Sequence, residues 1–415
     1  MEPRVNAQFM KELNEIRILN LIRSTGPISR IEIANRTKIS KVAVSEIVSR
    51  LDRAGFILEI GKGCSTDRGG KKPTLIKINP QNGYVIGVEI RRQIARVALA
   101  NLEAEIIASG SVTFPPSTGR EQTTRLIFWE IDQLLAQNRI SPGKLVSICL
   151  GVPGFIDYRK GEIMFADTLQ GWGQSPLVSL FQKRYNVPVL IENDVNASAL
   201  GEHLLGAGQG INDLVCLWIG EGVGAGIIVG GNLIRGRNGS AGEIGYLEIG
   251  HSLRERGALQ ELDRGQRYIG DILSEQNLFA ALRRKLSALP VPPENLESLS
   301  LIQILTDLPK TCQPAVDEIL TEYALLIATL CLELIKTLNP DLLILTGKVP
   351  EQVPQLLSKV RTVVQKHMSG IPVEATPIAI GKLKGEGCLK GTLAMALQVV
   401  FEPLFNGRNV RHLRI

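Results

Sequence analysis

At Tyr84 the spacing of apolar residues changes period, and that change divides the chain into two kinds of structure. Before it, apolar residues recur every three or four positions between turn signals, the spacing of short amphipathic helices. After it, "YVIGVEI", "ARVALANLEAEIIASGSVTF" and "LVSICLGVPGF" read as strands, with a helix across "TTRLIFWEIDQLLAQ". "VPVLIEND" is another buried strand that runs straight into the helix-like "VNASALGEHLLG". Two glycine-rich strands in "DLVCLWIGEGVGAGIIVGGNLI" precede a mostly helical stretch from about 266 to 338, and the strand "DLLILTGKV" follows. Such alternation implies an α/β fold with mixed sheets, long enough for two lobes with a cleft between them. The whole chain of 415 residues corresponds to two or three domains.

The first eighty residues contain three helical patterns. Ile16, Leu19 and Ile22 give the first one buried face, and Gly26-Pro27 stop it. Ser29 is the expected N-cap of the second, with Glu32 three residues on. Ser40 caps the third, Lys41 to Ala54, which buries Val44, Ile47, Val48 and Leu51 and ends at Gly55. Two short helices joined by a tight turn make a helix-turn-helix, whose second helix can enter the major groove of double-stranded DNA. On that reading Lys38, Ser40, Lys41, Ala43 and Ser45 face the DNA. Two strands around a basic loop, Arg68-Gly69-Gly70-Lys71-Lys72, form the wing, with Arg68, Lys71 and Lys72 available to phosphates. A small helical dimerisation module with a basic surface is the competing reading.

Charge supports the DNA reading. Residues 1–80 hold fifteen Lys and Arg against eight Asp and Glu, a surplus of seven in a protein whose net charge is +6. The remaining 335 residues are thus nearly neutral, and the polyanion-binding character is confined to the first domain. The start, "MEPRVNAQFMKELNEIRILNLI", mixes charges through its apolar positions, unlike a signal peptide or a membrane span, so a cytoplasmic protein is expected. The six cysteines are scattered through apolar runs without a C-x-x-C pair and read as small buried hydrophobes.

Taken in order, "LGVPGFID", "GWGQSPL", "IENDVNASALGE", "WIGEGVGAGIIVGGNLIRGRNGSAGEIGYLEI" and "NPDLLILTG" resemble the ROK family of bacterial repressors, open reading frames and sugar kinases. With a winged helix in front, the subgroup of xylose and N-acetylglucosamine repressors is the most similar. The resemblance implies a two-lobed actin-like ATPase or sugar-kinase fold of the ribonuclease H-like type. It suggests a winged helix-turn-helix over 1–80, one lobe over 81–199 with a C-terminal helix at 386–405, and a second lobe over 200–385.

The same resemblance assigns site residues. Asp194 matches the carboxylate that serves the kinases as a base toward a sugar hydroxyl, and in a repressor the same group can simply accept that hydroxyl's hydrogen bond. Asn193 and Glu243 fall at neighbouring sugar-facing positions, Thr168 stands where an asparagine is common, and Gln260 where a glutamate contacts sugar. Tyr246 replaces the family histidine that touches sugar and often binds zinc. The zinc loop is replaced by "HSLRERGALQE", with Leu253 and Ala258 at cysteine positions, so no metal is expected. Asp194 as a simple helix cap is the bland alternative.

The nucleotide side departs from the family. In "VIGVEIRRQIARVAL" the usual small phosphate-binding turn is replaced by Glu89-Ile90-Arg91-Arg92-Gln93. Bulky residues there obstruct close backbone approach by phosphates, and phosphoryl transfer depends almost wholly on positioning. Gly220, Gly222, Gly224 and Gly226 survive, but glycines also serve turns and tight packing. Lys348 stands where the family has small residues near the adenosine. The expectation is a carbohydrate-gene repressor without phosphoryl transfer and without a cofactor, binding operator DNA as a homodimer or homotetramer and sensing a sugar or a partner protein. An active sugar kinase carrying a DNA-binding domain is the alternative.

Overall fold

The computed structural model describes residues 7–63, 72–169, 171–248, 266–368 and 376–401. Helix α1 (Ala7–Thr25) ends where Gly26 turns the chain with φ +70°. It buries Ile18, Leu19 and Ile22, while Ile16 is only half-buried, one helical step off the expected face. Helix α2 (Arg30–Thr37) begins at Ser29, whose hydroxyl accepts from the Glu32 N–H at 3.2 Å. Helix α3 (Lys41–Arg53) begins at Ser40, which accepts from the Ala43 N–H at 3.2 Å, and it buries the expected Val44, Ile47, Val48 and Leu51. Both caps satisfy N–H groups that the first helical turn cannot pair internally. Strands β2 (Ile57–Lys62) and β3 (Thr74–Ile78) form the wing hairpin, and a two-residue strand β1 (Ile28–Ser29) adds to β3 on its other side. Sequence periodicity gave no sign of β1.

Beyond the winged helix the described residues make two five-stranded sheets and a two-stranded ribbon of β8 (Phe155–Asp157) and β9 (Glu162–Phe165). The first has the order β10-β7-β4-β5-β6, with β4 (Tyr84–Ile90), β5 (Ile94–Asn101), β6 (Ile106–Thr113), β7 (Leu145–Val152) and β10 (Val189–Asn193). Strand β4 is central, antiparallel to β5 and parallel to β7. It is buried almost throughout, as a run of Val and Ile with no polar alternation requires. Helix α4 (Arg120–Gln137) packs on β5 and β6.

The second sheet has the order β13-β12-β11-β14-β15, with β11 (Leu214–Ile219), β12 (Val223–Val229), β13 (Asn232–Leu233), β14 (Leu342–Thr346) and β15 (Ile378–Ile380). Here β11 is central, antiparallel to β12 and parallel to β14. Both sheets therefore share one plan: a central strand with a hairpin partner on one side and a later crossover strand on the other. The β4–β5 turn and the β11–β12 turn are equivalent points of that plan. Nothing in the sequence repeats at this level. The second sheet's core is completed by helices Glu275–Ser287, Gln313–Leu338 and Gln355–Met368, centred on fully buried Ile319, Tyr323 and Ile327.

The chain forms two compact units. One gathers Met1–Val152, Arg159–Ile191 and Thr392–Ile415, and the other Pro153–Tyr158 and Glu192–Gly391. The helix Gly387–Phe401 is continuous across the division at Gly391, and in the first unit its terminal residue meets α1. Asn20 donates to the Phe401 carbonyl, and the Arg23 guanidinium lies 4.4 Å from the Phe401 ring centroid. Among the described residues no helix is long and apolar enough to cross a membrane. Five cysteines (Cys149, Cys216, Cys312, Cys331 and Cys388) are free and buried, and burial pushes the Cys331 thiol up to about 12.

Candidate functional site

The candidate DNA-facing surface is the start of α3. Lys38, the left-handed C-cap of α2 with φ +61°, is exposed together with Ser40 and Lys41. Ala43 and Ser45 are half-buried, and the Ser45 hydroxyl accepts from the Arg30 guanidinium at 3.3 Å. The fully solvated residues of this face include two that the sequence reading omitted, Val42, 71% exposed, and Glu46. Their signal was available, because the buried 44/47/48/51 stripe places 42 and 46 opposite it. In the wing, Lys62 and Lys72 are exposed, while Arg68 and Lys71 lie outside the described residues.

After α5 (Leu177–Tyr185) and β10, two candidate ligand residues of the second unit, Asn193 and Asp194, stand at the start of helix α6 (Asp194–Leu205). Asn193, rather than Asp194, is the N-cap: its Oδ1 accepts from the N–H groups of Val195 and Asn196 at 2.9 and 3.1 Å. Its Nδ2 donates to the Gly154 carbonyl at 3.1 Å. Asn193 is therefore engaged in holding two backbone segments together. Asp194 is half-buried at the first position of α6, where the positive end of the helix dipole favours its charge, and its Oδ1 accepts from the Val195 N–H at 3.0 Å.

Strand β12 sets what lies beside α6. A Cβ on Gly226 would stand 2.3 Å from the Ala199 Cβ, and one on Gly224 3.3 Å from the Val195 side chain. These two glycines thus let α6 lie close against the strand, the packing role open to them from sequence. Next to them the Ala225 N–H donates to the Gly242 carbonyl at 2.8 Å, which anchors the segment carrying Glu243 to the same strand. Gly242 has φ +86°, and a Cβ there would lie 1.7 Å from the Ala225 oxygen, so only glycine fits.

Glu243 is half-buried, and its carboxylate has no hydrogen-bond or ion-pair partner among the described residues. Burial holds its carboxyl above the ordinary range. Tyr246 is 43% exposed, its ring 5.7 Å from Phe155 and 5.6 Å from Tyr268. Thr168 belongs to the other unit, where its Oγ1 is buried without a partner. Gln260, Leu253 and Ala258 lie outside the described residues.

The sequence reading missed Glu192, whose carboxylate organises this region. Its side chain is fully buried, and its Oε2 accepts from the Arg235 Nε at 2.7 Å and pairs with the Nη2 at 2.6 Å. Its Oε1 accepts from the Tyr158 hydroxyl, from the Asn193 N–H at 3.0 Å and from the Asn196 Nδ2 at 3.2 Å. Burial, and then the charge of Glu192, push the Tyr158 hydroxyl far above the usual phenol range, so it stays a donor. Through this one carboxylate, α6, the 153–158 segment and the loop at Arg235 are tied together.

The two hairpin turns differ in content. Glu89 is fully buried at the end of β4, and two arginines close on it. Arg91 Nε donates to Oε1 at 2.6 Å and Arg96 Nε to Oε2 at 2.6 Å. Two of the three cations near this turn thereby share one carboxylate within the hairpin, while Arg92 is exposed. At the other turn the Gly220 N–H donates to the Gly222 carbonyl at 2.9 Å. Lys348, the first residue of the short helix after β14, pairs with Glu275 at 2.6 Å.

Comparison with known proteins agrees with this geometry. Residues 85–399 match the ROK family, and residues 12–57 match winged helix-turn-helix DNA-binding domains. The xylose repressor of Caldicellulosiruptor bescii is 28% identical over 404 residues, covering 94% of this chain and 97% of its own. The DNA-binding transcriptional dual regulator NagC of Escherichia coli is 31% identical over 246 residues, 59% of each chain. A solved ROK family transcriptional regulator, a homolog of the E. coli MLC protein, shares the fold over 94% of this chain and 97% of its own, with TM-score 0.77 and 20% identity. A ROK family glucokinase from Streptomyces griseus, solved with glucose and AMPPNP, shares it over 76% of this chain and 100% of its own, with TM-score 0.61 and 24% identity.

Proposed function

Because the chain belongs to the ROK family and carries a winged helix-turn-helix ahead of the family body, we propose that it is a sugar-responsive transcriptional repressor. Residues 1–80 bind operator DNA, and the α/β body that follows senses the effector. The observation that carries this reading is the Ser40-capped α3, with an exposed polar and basic start and a fully buried opposite stripe, in the domain that holds the chain's whole basic surplus. The names of relatives, a xylose repressor and an N-acetylglucosamine repressor, support a carbohydrate effector.

In the body, Asp194 and Glu243 are the groups that accept hydrogen bonds from sugar hydroxyls. Glu243 suits this role because its carboxylate is partly desolvated yet unpartnered, and a hydroxyl donor relieves that. Tyr246 offers an exposed aromatic face beside Phe155. Asn193 serves the ligand indirectly, by fixing the start of α6. A partner protein acting on the same body is the other kind of effector compatible with these residues.

The protein performs no phosphoryl transfer. This rests on the β4–β5 turn, where Glu89 is held by Arg91 and Arg96 and is not free to organise a phosphate site. Specific operator recognition requires two winged helices, since one recognition helix reads only a few base pairs, so the working form is a homodimer or homotetramer. The test is binding of full-length protein to duplexes selected from a randomised pool, with and without sugars, beside a coupled ATP assay on the same sugars. Sequence-selective binding released by a sugar, with no ATP turnover, is expected. Sugar-dependent ATP turnover would replace this reading with a kinase.

A further inference from the structure

The exposed start of α3 carries two side chains whose presence the fold does not explain. Val42 is 71% exposed on the first turn, and valine is a weak helix former, so neither burial nor propensity calls for it. Glu46 lies one turn further along the same face and is also exposed. Its carboxylate has no partner among the described residues. Arg50, four residues on and well placed for an ion pair, is instead paired with Glu15 of α1. An unpaired anion in a domain of fifteen cations and eight anions is unfavourable beside phosphates unless it meets a donor there.

The major groove offers complements to both. The thymine C5 methyl is its apolar feature, and the cytosine N4 amine is a donor that a carboxylate can accept from. A helical rise of about 1.5 Å per residue separates positions 42 and 46 by about 6 Å, close to two base-pair steps of about 3.4 Å. We infer that Val42 and Glu46 set the base preference of α3, Val42 covering the methyl of a thymine and Glu46 accepting from the amine of a cytosine one or two base pairs away. Lys38, Ser40 and Lys41 hold the helix on the backbone, and these two residues read the sequence. This inference rests on the proposed DNA-binding function.

The experiment uses the full-length chain. Wild type first selects duplexes from a randomised pool, and each thymine of the selected duplex is then replaced singly by deoxyuridine, which removes only the methyl. One position per half-site is expected to lose about fourfold in affinity with wild type, the factor for uncovering one methyl-sized group. Val42→Ala is expected to be indifferent to that same replacement. In a parallel selection Glu46→Gln is expected to exchange a cytosine for an adenine by about tenfold, since a carboxamide pairs with adenine N6 and N7. Both positions are exposed, so thermal melting should match wild type, and affinity for a random duplex should be unchanged in Val42→Ala and no weaker in Glu46→Gln, which loses an anion beside the phosphates; this separates lost reading from lost folding.

Absence of any uridine-sensitive thymine, equal sensitivity in Val42→Ala, or an unchanged base choice by Glu46→Gln would overturn the inference while leaving the DNA-binding function in place. Failure of wild type to select any sequence would overturn both.

Discussion

Replacing Glu192 should be the most damaging single polar substitution in the second unit, and the size of the loss follows from its five donors. In Glu192→Gln the amide oxygen can keep Tyr158, Asn193 and Asn196, but its NH2 must then face two N–H groups of Arg235. Breaking a buried pair in this way costs about 3–5 kcal/mol. The Arg235 side chain is 38% exposed and partly rehydrates, which places the loss near the lower end, about 3 kcal/mol. Glu192→Ala also strands the Tyr158 hydroxyl and the Asn196 amide, at about 1–3 kcal/mol each, so it should exceed 5 kcal/mol. Arg235→Met added to Glu192→Gln removes the unpaired cation and should recover part of the loss, giving a clear coupling energy. The assay is urea unfolding followed by fluorescence in a Trp129→Phe, Trp172→Phe background, in which Trp218 on β11 reports on the second unit. A loss below about 1 kcal/mol for Glu192→Gln, or equal losses for Gln and Ala, would refute the reasoning.

Three further outcomes are expected. Burial raises the Glu243 carboxyl above its ordinary range, so the folded state prefers the neutral form, and stability is lost as pH rises through the folded value. Glu243→Gln should therefore be more stable than wild type at neutral pH, an advantage that disappears below the ordinary carboxylate range, as thermal melts across pH would show. Phe401→Ala should cost about 3–5 kcal/mol by removing a buried ring, and hydrogen exchange should speed up in α1, which Phe401 touches through Asn20 and Arg23. Lys72→Ala should weaken binding to selected and random duplexes alike and flatten the salt dependence by about one unit of slope, the signature of one lost phosphate contact.

The parts of the fold legible in the sequence were those set by local rules. Ser29 and Ser40 were found as caps because a cap is a residue type at a fixed offset, and the α3 stripe because its period is local. Strand β1 escaped because two residues carry no period, and its partner β3 begins 45 residues later. Glu192 escaped for the same reason: Tyr158 and Arg235 come from 34 and 43 residues away. The arginine pair on Glu89 was within reach, because the β4–β5 register sets Arg96 directly opposite Glu89. The sequence shows the inserted bulk at the turn, and the structure adds that Arg91 and Arg96 share the buried Glu89 carboxylate. Asn193 falls at a sugar-facing position by resemblance, while backbone groups of Val195, Asn196 and Gly154 take both ends of its amide, the last from 39 residues away.

The most direct test of the account is the affinity of full-length wild type and Asp194→Ala for a selected duplex, each measured with and without xylose, N-acetylglucosamine, glucose and a wider set of sugars. The account predicts that both proteins bind the duplex equally well without sugar, that one sugar releases wild type, and that the same sugar leaves Asp194→Ala bound. Release of both proteins by the same sugar would remove Asp194 from the sensing site, and a wild type that holds the duplex through every sugar would contradict a sugar-responsive repressor.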